Sequence, residues 1–116
     1  MAYKFAQRKS FTVPVTSGNY APEEIIFAPS TALVPADGLL GVSAVIESLP
    51  AASTLELWAL QIAADPTNAA NWFYTGNNIT AANTLTTWPL ASYPGLKLRA
   101  KSGGTSGALV ADASAD

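Results

Sequence analysis

The sequence predicts an all-β protein, an antiparallel β-sandwich or jelly roll of about eight short strands with an N-terminal arm. Short apolar runs recur at regular spacing and are separated by Gly, Pro, Asn and Asp. The polar residues are mostly Ser, Thr and Asn, which suit strands and turns better than surface helices. The chain has 116 residues, 49% hydrophobic and 12% charged, enough apolar material for one core. We assign residues 1–10 to a basic N-terminal arm and residues 11–116 to a single β-sandwich domain.

The arm carries three of the six basic residues of the chain. Its candidate contact residues are Tyr3, Lys4, Phe5, Arg8 and Lys9. The charged residues are poor core residues, whereas the two aromatic residues favour a buried contact. Two interpretations remain open. The segment is an arm that becomes ordered on a partner, or it is a terminal strand that completes the sheet.

Three strands are predicted in the first half of the domain, at residues 11–16, 24–28 and 42–47. Pro14 has no N–H to donate to a neighbouring strand, so the first of them is expected at a sheet edge. In the third strand the alternation directs Val42, Ala44 and Ile46 into the core.

The most apolar run, TLELWALQI at residues 54–62, is predicted to be a strand in the middle of its sheet. A helix is the competing interpretation, because Leu, Ala, Glu and Gln favour helices. The run is short and turn residues flank it, which favours a strand. Apolar residues on both of its faces indicate a central position.

The second half contains predicted strands at residues 72–75 and 82–88, with turns at 65–68 and at Asn77–Asn78. Residues 96–115 are predicted to form a β-hairpin around the glycine-rich segment 102–107. In its first strand, LKLRAK, Leu96, Leu98 and Ala100 alternate with Lys97, Arg99 and Lys101. The predicted core residues are Ile46, Leu57 or Trp58, Leu85, Leu98 and Val110.

Enzymatic chemistry is not expected. The chain has no His and no Cys, so the commonest general base and the thiolate metal ligands are missing. If Glu47 and Glu56 lie on neighbouring strands, they resemble the carboxylate pair of a glycoside hydrolase. Two solvated residues on strand faces are the preferred interpretation. Asp65, Asn68 and Asn71 match no Ca²⁺ loop, and hydrogen bonds within a turn account for them. We therefore predict no catalytic residue, no cofactor and no metal.

Three tryptophans bear on a binding function. Trp58 lies among aliphatic residues and is predicted to belong to the core. Trp72 and Trp88 lie near strand ends, where burial in the core is favoured and exposure is the alternative. Exposed, they would form a stacking platform for sugars, which makes a carbohydrate-binding module the alternative function from a different class.

The basic row Lys97, Arg99 and Lys101 has three interpretations. A solvated strand face that prevents edge-to-edge aggregation is preferred over a contact with an acidic protein surface. Direct nucleic-acid binding ranks last, because three charges are few and the net charge is −2. No membrane partner is expected, since no apolar run approaches the length of a membrane span and the N-terminus does not resemble a signal peptide.

Two blocks, LELWALQIAADPTNAANWFYTG and TTWPLASYPGLKLRAKSGGTSGALVADASA, resemble small β-sandwich structural proteins of tailed bacteriophages. The resemblance covers residues 40 to 115. It implies a virion protein made in the host cytoplasm, above all a capsid decoration (cement) protein that stabilises the shell. Its partners would be the major capsid protein and neighbouring copies of itself. A tail or head-fibre component is the alternative within this class.

Overall fold

The computed structural model describes residues 5–28, 39–61 and 65–115, and it contains eight β-strands in two antiparallel sheets. The strands are β1 (Phe5–Val13), β2 (Tyr20–Phe27), β3 (Leu39–Ser48), β4 (Thr54–Leu60), β5 (Trp72–Ile79), β6 (Thr86–Tyr93), β7 (Leu96–Lys101) and β8 (Gly107–Ala115). The first sheet has the order β1-β8-β3-β6, and the second has the order β2-β7-β4-β5. The predicted all-β sandwich is confirmed.

The strand pairs are nested within one another. Strand β4 pairs with β5, β3 with β6, β2 with β7 and β1 with β8, all antiparallel. The first four strands therefore pair in reverse order with the last four, as in a long antiparallel hairpin whose turn is the β4–β5 connection and which is then rolled into two sheets. Two further pairings, β3 with β8 and β4 with β7, close the roll. This arrangement is the eight-stranded jelly roll, one of the two architectures that the sequence predicts.

One hydrophobic core fills the space between the sheets. The alternating residues predicted to face inward do so: Val42, Ala44 and Ile46 on β3 and Leu98 on β7 are buried. Leu57 of β4 is also fully buried in this core. On β8 the inward residues are Leu109, Ala111, Ala113 and Ala115, so the interior beside this strand is lined mainly by small side chains.

The ambiguous apolar run is a strand. Strand β4 lies between β7 and β5, which confirms its predicted central position. Leu55 and Leu57 face the core, whereas Glu56 and Trp58 belong to the opposite, outer face. The prediction of Trp58 as a core residue is wrong, because its position in the alternation places it outside the sheet.

The predicted hairpin is wrong, because β7 and β8 belong to different sheets. Both strands direct leucines into the core, from opposite sides of it. Alternation determines which face a residue occupies but not which strand is its neighbour. The segment between them crosses from one sheet to the other. Ser102 fixes this crossing, since its N–H donates to Asn19 O at 2.8 Å and its hydroxyl to Pro14 O at 2.6 Å.

The predicted boundary between arm and domain also changes. Residues 5–10 pair with residues 110–115 of β8 as part of β1, so they are a strand of the sandwich, the alternative left open for this segment. The physical reason is that pairing with β8 gives alternate N–H and C=O groups of this stretch hydrogen-bond partners, which an unpaired arm would lack. Residues 1–4, with Tyr3 and Lys4, lie outside the described residues. Strand β1 ends before Pro14 and is an edge strand, as predicted.

Several local predictions need correction. Leu85 is 66% exposed, because the strand that was predicted at 82–88 begins only at Thr86. Val110 is half-buried, because its neighbours Leu109 and Ala111 take the inward positions. Asn77 and Asn78 continue β5 to Ile79 and form no turn. Within the described residues, no helix is long and apolar enough to cross a membrane.

Candidate functional site

The outer face of the second sheet carries a packed layer of aromatic and charged side chains. Strand β7 contributes Lys97, Arg99 and Lys101, which share this face as the alternation predicts. The neighbouring strands surround the basic row with rings and carboxylates. We call the following set the aromatic–cation layer: Tyr20 and Glu24 of β2, Glu56 and Trp58 of β4, Trp72 and Tyr74 of β5, and Lys97, Arg99 and Lys101 of β7.

Lys97 is buried, with only 5% of the residue exposed. Its Nζ lies 4.7 Å from the ring centroid of Trp72 and 3.1 Å from Glu24 Oε2. A small apolar cluster of Ala28, Leu60 and Trp72 lies on the same side of the sheet. A buried ammonium requires such a carboxylate and ring partner to offset its lost hydration. The interpretation of this row as a solvated strand face is therefore wrong for Lys97.

Arg99 packs against two rings, Tyr20 and Trp58, whose planes are nearly perpendicular to each other. Its guanidinium carbon lies 3.9 Å from the Tyr20 ring centroid and 4.7 Å from the Trp58 ring centroid. Its Nε lies 3.2 Å from Glu24 Oε2, within ion-pair distance, but the buried Nε–H makes no hydrogen bond to that oxygen or elsewhere in the described chain. The charge attraction and ring contacts therefore hold the side chain, which leaves little freedom for it to reach a partner molecule.

Glu56 anchors the other end of the layer and is 4% exposed. Its Oε1 accepts hydrogen bonds from the Tyr20 hydroxyl at 2.7 Å and from Trp58 Nε1 at 3.0 Å. Its Oε2 lies 4.0 Å from Lys101 Nζ. Burial, together with the hydrogen bond and the negative charge of Glu56, raises the pKa of Tyr20 to about 12.

An open groove of about 550 Å³ lies beside Glu56, between the outer face of the sheet and the connections at one end of the sandwich. Tyr74, Asn78, Lys101 and Thr54 line it together with Glu56. The remaining wall is formed by small residues of the β1–β2, β3–β4 and β7–β8 connections. The groove brings an acid, a base, an amide and an aromatic ring to one place.

Of the predicted contact residues in the N-terminal segment, Arg8 lies on the opposite side of the sandwich. Arg8 of β1 forms ion pairs with Glu47 of β3 and, at 3.1 Å, with Asp112 of β8, on the outer face of the first sheet. The hydrogen bond to Glu47, together with the negative charges of Asp112 and Glu47, raises the pKa of Arg8 above its ordinary value. Lys9 is exposed and Phe5 begins β1. Arg8 and the basic row of β7 therefore lie on different surfaces of the sandwich.

The candidate glycosidase pair is not formed, because Glu47 and Glu56 lie on the outer faces of different sheets. The alternative of two solvated residues fails for the buried Glu56. In the 65–71 segment, the turn interpretation is confirmed. Asp65 Oδ1 accepts from Thr67 N at 2.9 Å, which lowers the pKa of Asp65, and Asn68 Oδ1 accepts from Ala70 N at 3.0 Å. No group of three acidic residues suited to a metal occurs in the described ranges.

The two tryptophans proposed as a sugar platform are not available. Trp72 and Trp88 are 6% and 8% exposed, as the core interpretation predicts, although Trp72 packs outside the second sheet and Trp88 inside the main core. The exposed aromatic residues among those described are Phe73 and Tyr74 of β5.

Sequence reasoning missed Glu56, Trp58 and Tyr20 as partners of the basic row. One signal was present. In TLELWAL, the residues Glu56 and Trp58 share one face of a strand whose other face is wholly aliphatic, so the outer face of this strand also had to be covered. The sequence of β4 does not show which strand lies beside it, and only the fold reveals that the neighbouring β7 supplies the cations. In comparisons with known proteins, the chain matches no family model, no curated protein and no solved structure.

Proposed function

We propose that the chain is a structural protein of a virion, a capsid decoration protein that binds the outer surface of the shell. Its partners are the major capsid protein and neighbouring copies, and it reaches the virion from the host cytoplasm. Support comes from the resemblance of residues 40 to 115 and from the jelly-roll architecture, which recurs in viral capsid and lectin domains. A fold alone assigns no function, so the proposal depends on a surface suited to protein contact.

The observation that carries the proposal is the outer face of the first sheet. Its middle is built from small side chains, among them Ala6, Ser43 and Ser114, around a shallow depression of about 430 Å³. The exposed Leu85 stands at its border. The charged residues that line the depression, Arg8 and Asp112, are paired with each other. Another protein can cover a face of small side chains whose Arg8 and Asp112 are paired without leaving either of these two charges buried alone.

This face replaces the basic row as the proposed contact surface. Lys97 and Arg99 are engaged within the aromatic–cation layer and are not free to pair with an acidic protein. Arg8 remains part of the contact surface, at the edge of the depression. A decoration protein occupies many equivalent sites, so a modest free energy per copy, repeated over the shell, resists expansion.

The stoichiometry of purified particles tests the proposal. A decoration protein is expected at one copy, or another fixed small number, per capsid subunit on a quantitative gel. A handful of copies per particle contradicts it and favours the tail or head-fibre alternative.

A matched pair of variants tests the contact surface. Leu85→Glu places a charge at the border of the depression, and Val15→Glu places one at a residue of almost the same exposure, 67%, in the β1–β2 connection. We expect Leu85→Glu to weaken rebinding to stripped particles and Val15→Glu to rebind like the parent. Equal rebinding of both variants would exclude this face.

A further inference from the structure

We infer that the groove beside Glu56 is a binding site for a neutral polyhydroxylated ligand, a monosaccharide or the terminal sugar of a glycan. The inference goes beyond the proposed virion role and does not depend on it. It rests on three side chains that line the groove: the buried carboxylate of Glu56, the ammonium of Lys101 opposite its Oε2, and the exposed ring of Tyr74.

The carboxylate is held in a fixed orientation. Glu56 Oε1 is occupied by the Tyr20 hydroxyl and by Trp58 Nε1. Within the described part of the chain, Oε2 makes no hydrogen bond, and its ion-pair partner Lys101 Nζ lies 4.0 Å away, too far for a direct bond. The spacing accommodates one hydroxyl group at about 2.8 Å from each atom. Such a hydroxyl donates to Oε2 and accepts from Nζ, the two roles that only a hydroxyl or water combines in one atom.

The charge of the groove selects against ions. An anionic ligand would meet Glu56 at the floor, and a cationic ligand would meet Lys101. A neutral ligand with several hydroxyls satisfies both groups. Asn78 adds an amide whose Nδ2 donates to the Tyr74 hydroxyl at 2.8 Å, which leaves the amide oxygen to accept from the ligand.

The aromatic wall suits the apolar face of a sugar ring. Tyr74 is 38% exposed and packs against Trp58 with ring centroids 5.9 Å apart, so its ring is supported from one side. The C–H groups on one face of a pyranose form a flat apolar surface that packs against such a ring. The groove volume of about 550 Å³ lies within the range of small-molecule sites.

The indole N–H signals of the full-length ¹⁵N-labelled chain provide the readout. D-glucose, D-galactose, D-mannose and N-acetyl-D-glucosamine are titrated separately to about 100 mM, which saturates a site of millimolar affinity. At least one sugar is expected to shift the Trp58 signal saturably, because Trp58 Nε1 donates to the carboxylate that binds the ligand. The Trp72 signal should stay in place, since its Nε1 donates to Pro66 O, away from the groove.

Two substitutions and one control complete the experiment. Tyr74→Ala and Lys101→Ala should each lower the affinity about tenfold or more, the change expected when one good contact is lost. Phe73→Ala, the neighbouring exposed aromatic outside the groove, should leave the affinity unchanged. If Tyr74→Ala fails to fold, Lys101→Ala decides alone, because the Lys101 side chain is 43% exposed and belongs to neither apolar cluster of the described residues. The inference is overturned if none of the four sugars shifts the Trp58 signal saturably, or if the folded variants bind like the parent.

Discussion

Arg99 is held by the shape of its guanidinium as much as by its charge. The extended, delocalised guanidinium packs against both the Tyr20 and the Trp58 rings, which are nearly perpendicular, whereas the smaller and more strongly hydrated ammonium of a lysine makes less contact with them. We expect Arg99→Lys to lower the free energy of unfolding by about 1–2 kcal/mol, the size of a largely desolvated cation–π contact. Urea denaturation measures this change.

Arg8→Lys is the matched control for that substitution. Arg8 is exposed and paired with exposed carboxylates, so the same exchange should leave the free energy of unfolding close to that of the parent. If Arg99→Lys were as stable as the parent, the stacking would have no part in holding the layer together.

Tyr20 links the stability of the layer to alkaline pH. Its pKa is about 12 in the folded protein, above the ordinary value of 10.0, because burial and Glu56 disfavour the phenolate. Between these values the unfolded chain has lost the proton that the folded chain retains. Stability from this group is therefore fully present below pH 10 and is lost as the pH rises toward 12.

Denaturation curves of the parent and of Tyr20→Phe, recorded at several alkaline pH values, isolate this effect. The variant lacks the titrating group but keeps the ring beneath Arg99. We expect the stability of the parent to fall more steeply than that of Tyr20→Phe over this range. Parallel curves would show that Tyr20 does not retain its proton in the folded state.

At the scale of residues, alternation correctly assigned the two faces of β7 but not the environments of its side chains. The alternation of LKLRAK places Lys97 outside the sheet, as observed. Its burial comes from Trp72 and Glu24, which belong to strands far away in the chain. Alternation therefore cannot distinguish a solvated charge from one that a second layer of side chains covers.

At the scale of elements, the N-terminal strand gives a prediction. Strand β1 pairs along its whole length with β8, and Thr12 N–H donates to Glu23 Oε1 at 2.6 Å, a bond that lowers the pKa of Glu23. Deletion of residues 2–9 removes most of this pairing. We expect the melting temperature to fall by more than the roughly 4–8 °C that accompany a loss of 1 kcal/mol in a small domain.

The double variant Arg8→Ala, Lys9→Ala is the control, because it removes the charges and retains the strand. It should melt close to the parent, since both side chains are exposed. An unchanged melting temperature of the truncated protein would contradict the strand interpretation and indicate an arm that acts only in the assembly.

Strand existence was predictable, and strand pairing was not. The apolar run at residues 54–62 predicts a strand from its length and flanking turns, because those properties are local, and the observed strand is Thr54–Leu60. The pairing of β8 depends on the course of the whole chain. A glycine-rich connection such as 102–106 is equally compatible with a hairpin and with a crossing between sheets. The requirement for glycine at position 103 is visible only in the folded structure, where an added Cβ would lie 2.2 Å from the Ala52 carbonyl.

At the scale of the whole molecule, nested pairing orders the contacts by sequence separation. The β4–β5 pair closes across the short connection 61–71, whereas Phe5 pairs with Ala115 across almost the entire chain. Loop closure costs more entropy for distant pairs, and β-rich proteins with such contacts fold in milliseconds to seconds. We therefore expect β4 and β5 to form early and the β1–β8 pair to form late.

Two leucines of equal burial test this order. Leu57 of β4 and Leu109 of β8 are both fully buried in the same core, so each truncation to Ala should cost about 2–5 kcal/mol. Leu57→Ala should mainly slow refolding, because its contacts form before the transition state. Leu109→Ala should mainly accelerate unfolding, because its contacts form afterwards. Stopped-flow tryptophan fluorescence measures both rates, and the reverse pattern would mean that the roll closes from its termini inward.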